Sequence, residues 1–363
     1  MGEAEQNEFE IGGHHVPACS SSDISIPITT LATGYSSMLS VRVFHGAEPG
    51  PTVFVSGAVH GDEIVGTAVI QHLAQQIDPS RLSGTVLLVP VTNIFGFLNR
   101  SRYLPDRRDL NRSFPGSVSG SLASQLAQVF FSEVVQRASL GIDIHTAAVH
   151  RYNLPQIRID KGNPRLVELA MAFGAPVIIE SPLREGSLRS KAKEEGVDML
   201  LLEAGEALRF DNLSIQTGVL SIQTGVAGVL RVLAHLGMID ADDRLAGVSV
   251  PARSNKSTWV RSTRGGVAHP AKTSGDPVRK GDLLATVAGL LGEEPEAVIS
   301  PIDGIIIGHA TLPVVHQGDA LFHIAEVSHP EQVGAQIDSI KEAIRASEPE
   351  GLAEVLLDED EVL

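Results

Sequence analysis

Three side chains able to bind a divalent metal sit in two short, separate stretches of this chain. His60 and Glu63 lie three residues apart in Val59-His60-Gly61-Asp62-Glu63, and His145 stands in Asp143-Ile144-His145-Thr146. Two imidazoles and a carboxylate suit zinc, and a three-ligand set leaves a fourth position open for water, as catalytic zinc sites do. Such an ion polarises a carbonyl and brings the pKa of water toward neutrality. The His-x-x-Glu spacing alone carries little, because chance pairs of this kind are common on helix surfaces. Its setting carries more. Both stretches follow apolar runs that read as buried strands, Thr52-Val53-Phe54-Val55-Ser56-Gly57 and Leu140 to Ile144. In open α/β sheets, sites collect at the C-terminal ends of strands. A histidine ending an apolar strand can also be a satisfied core residue; two such places with complementary ligand types weigh against that.

Glu203 ends the run Met199-Leu200-Leu201-Leu202. A carboxylate leaving so apolar a strand is costly to bury without a partner. Beside an activated water it would act as general base, then as acid toward a leaving amine. A buried salt bridge is the plainer alternative, and Glu206 and Glu180 compete for the role. Between Arg102 and Arg112, four arginines fall within eleven residues: Arg102, Arg107, Arg108 and Arg112. Arginine forks bind carboxylates bidentately and can hold the oxyanion of an attacked carbonyl. A solvated basic stretch is the bland reading. In a chain of net charge −16, the clustering points to a carboxylate-bearing substrate.

These residues need elements to position them. After Glu63, Ile64, Ala68, Val69 and Leu73 fall at helical spacing. Residues 85–91 read as a second buried strand and 121–138 as a helix, with further strands at 140–144, 177–180 and 199–202. Residues 93–116 read as a long polar loop, a length that is usually functional in a compact domain. Strands alternating with helices predict an α/β sheet with helices on its faces. Residues 23–48 alternate as short strands. From 248 to 327, short segments broken by Gly, Pro and Asp read as all-β, and 328–363 as an acidic, helical tail. The expected organisation is therefore a catalytic domain over 1–247, an all-β domain over 248–327 and the tail. Leu213 to Val219 and Leu220 to Val226 both read LSIQTGV. Seven residues are about two helical turns, so the duplication lengthens a helix with little change of face, and no function is expected of it.

The chain has 363 residues, 43% hydrophobic and 20% charged, which fits a globular protein with a sizeable core. Its net charge argues against nucleic acid, whose binding needs concentrated Lys and Arg. One cysteine, Cys19, excludes an intramolecular disulfide and fits a reducing compartment. No basic-then-apolar leader is visible in Met1 to Glu10, and no apolar run approaches the roughly 20 residues that span a bilayer. The expectation is a cytoplasmic chain without membrane contact. The acidic surface and the extra β segment are compatible with a homo-oligomer.

Four motifs in order, Gly57-Ala58-Val59-His60-Gly61-Asp62-Glu63, Asp109-Leu110-Asn111-Arg112-Ser113-Phe114-Pro115-Gly116, Asp143-Ile144-His145-Thr146 and Leu202-Glu203-Ala204-Gly205, carry a resemblance. The chain resembles the succinylglutamate desuccinylase/aspartoacylase family of zinc carboxypeptidase-like hydrolases. The resemblance implies a mixed-sheet catalytic domain with one Zn²⁺ held by His60, Glu63 and His145, and Glu203 as the catalytic glutamate. It implies that Asn111 and Arg112 grip a substrate carboxylate, with Arg108 as a further substrate arginine. Asp109 would orient a ligand histidine, His60. Arg102 fits the family's Arg-Tyr pattern as the oxyanion arginine; the loop after it looks longer here, so Arg107 and Arg108 remain alternatives. The all-β segment resembles the family's C-terminal barrel, itself similar to biotinyl/lipoyl carriers. A carrier lysine is missing from Gly292-Glu293-Glu294-Pro295-Glu296, and Lys280 lies in a different turn, so a structural lid or oligomerisation module is expected. The implied activity is hydrolysis of the amide of a small anionic N-acyl amino acid. A carboxypeptidase acting on short peptides and an inactive binding protein are the alternatives. Asn153 to Arg158 follows the His145 strand and is expected to help shape the acyl or side-chain pocket.

Overall fold

The computed structural model describes residues 7–210, 218–240, 250–291 and 293–346. The apolar runs become strands of one mixed sheet whose main path has ten members. These are β1 (Ser20–Thr30), β2 (Ser36–His45), β3 (Glu48–Gly57), β4 (Ser83–Val89), β5 (Leu140–Ala147), β6 (Arg151–Ile159), β7 (Asp198–Glu206), β8 (Ser257–Arg261), β9 (Gly304–Ala310) and β10 (Ala320–Glu326). Their spatial order is β8-β10-β9-β6-β7-β5-β3-β4-β2-β1. The central strands β7, β5, β3 and β4 run parallel. Parallel strands covered on both faces read as continuous apolar runs, and all eight residues of β5 are buried.

The helices are α1 (Val65–Ala74), α2 (Ile94–Leu98), α3 (Leu122–Glu133), α4 (Pro164–Phe173), α5 (Leu188–Glu194), α6 (Gly218–His235) and α7 (Pro330–Ala346). Successive strand residues face opposite ways, and the core divides accordingly. Val53 and Val55 of β3 pack in one cluster with Val65, Val69 and Leu73 of α1 and with α4 and α6. Phe54 packs in the other, with Leu126 and Phe130 of α3.

The 93–116 stretch holds more order than a loop. Asn93 caps α2 by accepting from the Gly96 amide at 2.9 Å, and a 3₁₀ turn spans Leu110–Arg112. Strand β6 carries Pro155, which cannot donate to a ladder. It is tolerated because its neighbour changes there: residues 151–153 pair with β9, whereas 156–159 pair with Val177–Glu180. The β6–β9 pairing joins the C-terminal segment to the catalytic sheet. A second, four-stranded antiparallel sheet comprises Gly266–Pro270, Leu283–Ala288, Glu296–Ile299 and Val314–Val315. The 247/248 boundary lies outside the described residues, as does most of the first LSIQTGV copy; the second falls within α6. Of the tail, α7 is described. Among the described residues, no helix is long and apolar enough to cross a membrane.

Candidate active site

The parallel centre of the sheet brings two chain segments to one point. His60 and Glu63 lie in the turn between β3 and α1, and His145 lies near the end of β5, beside β3. Gly61 permits this turn: a Cβ there would stand 1.8 Å from the Gly96 carbonyl carbon. His60, Glu63 and His145 are all buried, and their ligand atoms lie within 4.8 Å of one another. Glu63 Oε1 is 2.7 Å from His60 Nδ1, and Glu63 Oε2 is 2.7 Å from His145 Nδ1. The far nitrogens are held by carboxylates. His60 Nε2 meets Asp109 at 3.1 Å, and His145 Nε2 meets Asp143 at 2.7 Å. A histidine ligand whose other nitrogen is held by a carboxylate is the usual supporting arrangement around zinc. The donor set therefore fits a divalent ion bound through both Nδ1 atoms and Glu63.

Opposite charges also hold these side chains together. Burial opposes charge on His145, but Asp143 and Glu63 outweigh it and raise its pKa well above the ordinary value. Burial likewise opposes charge on His60, and Glu63 with Asp109 turns the balance upward. Burial would raise the Glu63 pKa; the two imidazoles overcome it and hold the carboxyl far below the usual range.

Glu203 is the strand neighbour of His145 in the parallel β5–β7 pair. Directly after it, the register of β7 shifts against both neighbours, and Gly205 adopts φ +79°. Such a bulge re-aims side chains beside a site. It changes the parity of β6 against β7, so Asn153 and Arg158 both line the cleft despite their odd and even positions. The competing carboxylates lie elsewhere. Glu180 pairs with Arg253 at 2.7 Å, and Glu206 accepts from the His150 amide at 3.0 Å.

The arginine loop divides. Arg102 Nη1 is 3.0 Å from Glu63 Oε1, and its Nη2 is 3.1 Å from Asp109 Oδ2. Asp109 also accepts from the Asn111 amide at 2.8 Å, and Asn111 Oδ1 accepts from the Leu188 amide at the start of α5 at 2.8 Å. Arg112 lies beside Asn111, donating to its carbonyl oxygen. Arg102, Asn111 and Arg112 line the cleft. Arg108 does not: it is exposed and paired with Asp106 at 3.4 Å. Arg107, with φ +63°, is also exposed and outside the cleft. Of the three oxyanion candidates, the structure brings Arg102 alone to the His60–Glu63–His145 cluster.

The model of the succinylglutamate desuccinylase/aspartoacylase catalytic domain matches residues 49–235. The chain belongs to this family. An N-alpha-acetyl-L-2,4-diaminobutyric acid deacetylase from Halomonas elongata is 27% identical over 322 residues, covering 84% of this chain and 90% of the relative. A succinylglutamate desuccinylase/aspartoacylase structure from Rhodobacter sphaeroides aligns with TM-score 0.73 at 26% identity, covering 85% of this chain and 96% of that one. The product-bound ectoine utilization protein EutE (DoeB) from Ruegeria pomeroyi shares the fold, with TM-score 0.73 at 24% identity over 85% of this chain and 94% of that one.

The cleft of this family member encloses about 430 Å³, a small-molecule size. Four of its charged or aromatic lining residues have no signal of their own in the sequence: Arg151, Arg184, Arg189 and Trp259. Arg189, at the start of α5, has no hydrogen-bond partner for Nη1. Burial and the nearby Arg158 push its pKa down to about 10. Trp259 comes from β8 in the C-terminal segment, with the Arg151 guanidinium 5.2 Å from its ring centroid. Only the charge imbalance between the −16 chain and its local arginines hinted at further arginines; nothing in the sequence marked Trp259.

Proposed function

We propose that this protein is a zinc-dependent deacylase that hydrolyses the amide bond of a small, anionic N-acyl amino acid. The observation that carries this reading is the convergence of His60, Glu63 and His145 beside Glu203 in one arginine-lined cleft. The relative from Halomonas elongata, a deacetylase of an N-acetyl amino acid, supports the reaction class. His60, Glu63 and His145 would hold the ion. Bound there, zinc supplies Lewis acidity toward the scissile carbonyl and makes water a better nucleophile near neutral pH.

The chain's own residues do the rest. Glu203 takes a proton from the attacking water and returns it to the departing amine. Arg102 directs positive charge at the carbonyl oxygen as negative charge builds there. Asn111 and Arg112 bind the substrate carboxylate, and Asp109 and Asp143 fix the rings of His60 and His145. We read residues 248–327 as a barrel of the biotinyl/lipoyl kind serving as a wall of the site, not as a carrier. Trp259 in the cleft supports this reading.

The test is turnover of N-acetyl and N-succinyl amino acids against dipeptides by zinc-loaded protein. N-acyl amino acids are expected to be hydrolysed and dipeptides not; preference for dipeptides would make the protein a carboxypeptidase. Glu203→Gln is expected to keep its zinc and lower kcat about 10²- to 10⁴-fold. Near-normal turnover in that variant would sink the role of Glu203.

A further inference from the structure

One side chain that the metal site does not use holds Glu203. Asn153 Nδ2 donates to Glu203 Oε2 at 2.8 Å. Arg158 approaches the other oxygen, Oε1, at 3.7 Å, beyond hydrogen-bond range. The Asn153 amide therefore fixes the rotation of the carboxylate. Asn153 is itself 6% exposed, so little solvent is available to compete for its amide.

The C-terminal segment leaves the room that the Asn153 amide occupies. Asn153 is flanked in register by Gly205 on β7 and Gly308 on β9. A Cβ at position 308 would stand 2.8 Å from Asn153 Oδ1 and 3.2 Å from the Tyr152 carbonyl oxygen. Position 308 has no left-handed backbone, so it needs glycine for space and not for conformation. The closer contact is with the tip of a side chain. An added methyl is thus relieved most readily by turning the amide of Asn153, at the expense of its bond to Glu203.

We infer that Gly308 is a positioning residue for the reaction: by leaving room for the Asn153 amide, it lets the C-terminal segment set the aim of the Glu203 carboxylate. The inference rests on the reading of Glu203 as the proton-transfer group. Displacing a reacting group by about 1 Å can cost on the order of 10²-fold in rate, so a small steric change at a residue outside the cleft becomes visible in kcat.

The experiment compares Gly308→Ala, Asn153→Ala and the double variant as zinc-loaded full-length protein. The substrate is the N-acyl amino acid turned over fastest in the panel above. Each single variant is expected to lower kcat about 10- to 100-fold, with KM within about twofold and unchanged zinc content. The double variant is expected to be no slower than Asn153→Ala, and more heat-stable than Gly308→Ala because the closer of the two contacts, with Oδ1, is gone. A crystal structure of Gly308→Ala is expected to show Asn153 Nδ2 turned away from Glu203. Losses that multiply in the double variant, wild-type kcat in Gly308→Ala, or an intact Asn153–Glu203 bond in its crystal structure would each overturn the inference. Should Gly308→Ala fail to fold, wild-type kcat in Asn153→Ala overturns it alone. Full activity of Glu203→Gln would instead defeat the underlying role of Glu203, and the crystal structure would still decide whether Gly308 governs Asn153.

Discussion

His145 on β5 and His323 on β10 are both strand histidines, 4% and 7% exposed, yet their chemistry is opposite. Burial pushes both toward the neutral form. At His145, Asp143 and Glu63 reverse that push and raise the pKa. At His323 nothing reverses it: one nitrogen meets the Ser257 hydroxyl at 2.9 Å, the other has no partner, and Arg158 adds repulsion. Its pKa falls to about 3. The ring instead stacks on Trp259, its cross-strand partner, with centroids 4.3 Å apart and planes at 10°. Partners, not burial, separate a histidine held between two carboxylates from one that serves as a flat, neutral surface.

The largest expected effect comes from making His145 resemble His323. Asp143→Asn keeps the volume but removes the charge at His145 Nε2. Asp143 is 1% exposed and also accepts from the Ser56 hydroxyl at 2.8 Å, so water cannot replace it. Zinc affinity is expected to fall about 10- to 100-fold, read by competition with a chelator. Asp109→Asn should weaken binding less, since Asp109 is half-buried and shared with Arg102. Equal zinc affinity in wild type and Asp143→Asn would break the comparison.

Arg158 and Arg189 link the two environments, since Arg158 depresses both His323 and Arg189. A partly uncompensated guanidinium in a cleft costs stability and is retained for a ligand. Arg189→Gln is therefore expected to raise KM for an anionic N-acyl amino acid about tenfold, while the melting temperature holds or rises. A lower melting temperature with unchanged KM would make Arg189 a structural residue.

The contrast also explains what could be read from the sequence. Asp143 stands two residues before His145, on the same side of one strand, and Glu63 one helical turn's distance from His60, so the local pattern exposes that chemistry. The strand run before Glu203 is equally plain. Asn153 and Arg158 are legible as pocket-shaping, but β6 itself is not, because Pro155 and the amides of Asn153 and Gln156 break its alternation. Arg151, Arg184, Arg189 and Trp259 reach the cleft from different elements, and no spacing announces them. Arg108 misleads because clustering says nothing of direction: Asp106, two residues away, holds it in solvent.

Stability at mildly acid pH tests the neutral side of the comparison. An unfolded histidine takes up a proton near pH 6.5, whereas His323 in the fold does so only near pH 3. Between these values the unfolded chain binds the extra proton, so this group's contribution is complete above pH 6.5 and is lost as pH falls toward 3. At full effect the loss is about 1.4 kcal/mol per pH unit. His323→Phe keeps a ring for Trp259 to stack on and has nothing to protonate. Wild type should therefore lose more stability than this variant between pH 7 and pH 5. Trp259 is the chain's one tryptophan, so its fluorescence reports unfolding from the residue that His323 supports. Carboxylates elsewhere titrate in both proteins and cancel in the difference. Parallel losses in the two proteins would mean that His323 is already charged in the fold, and the distinction between the two histidines would fall.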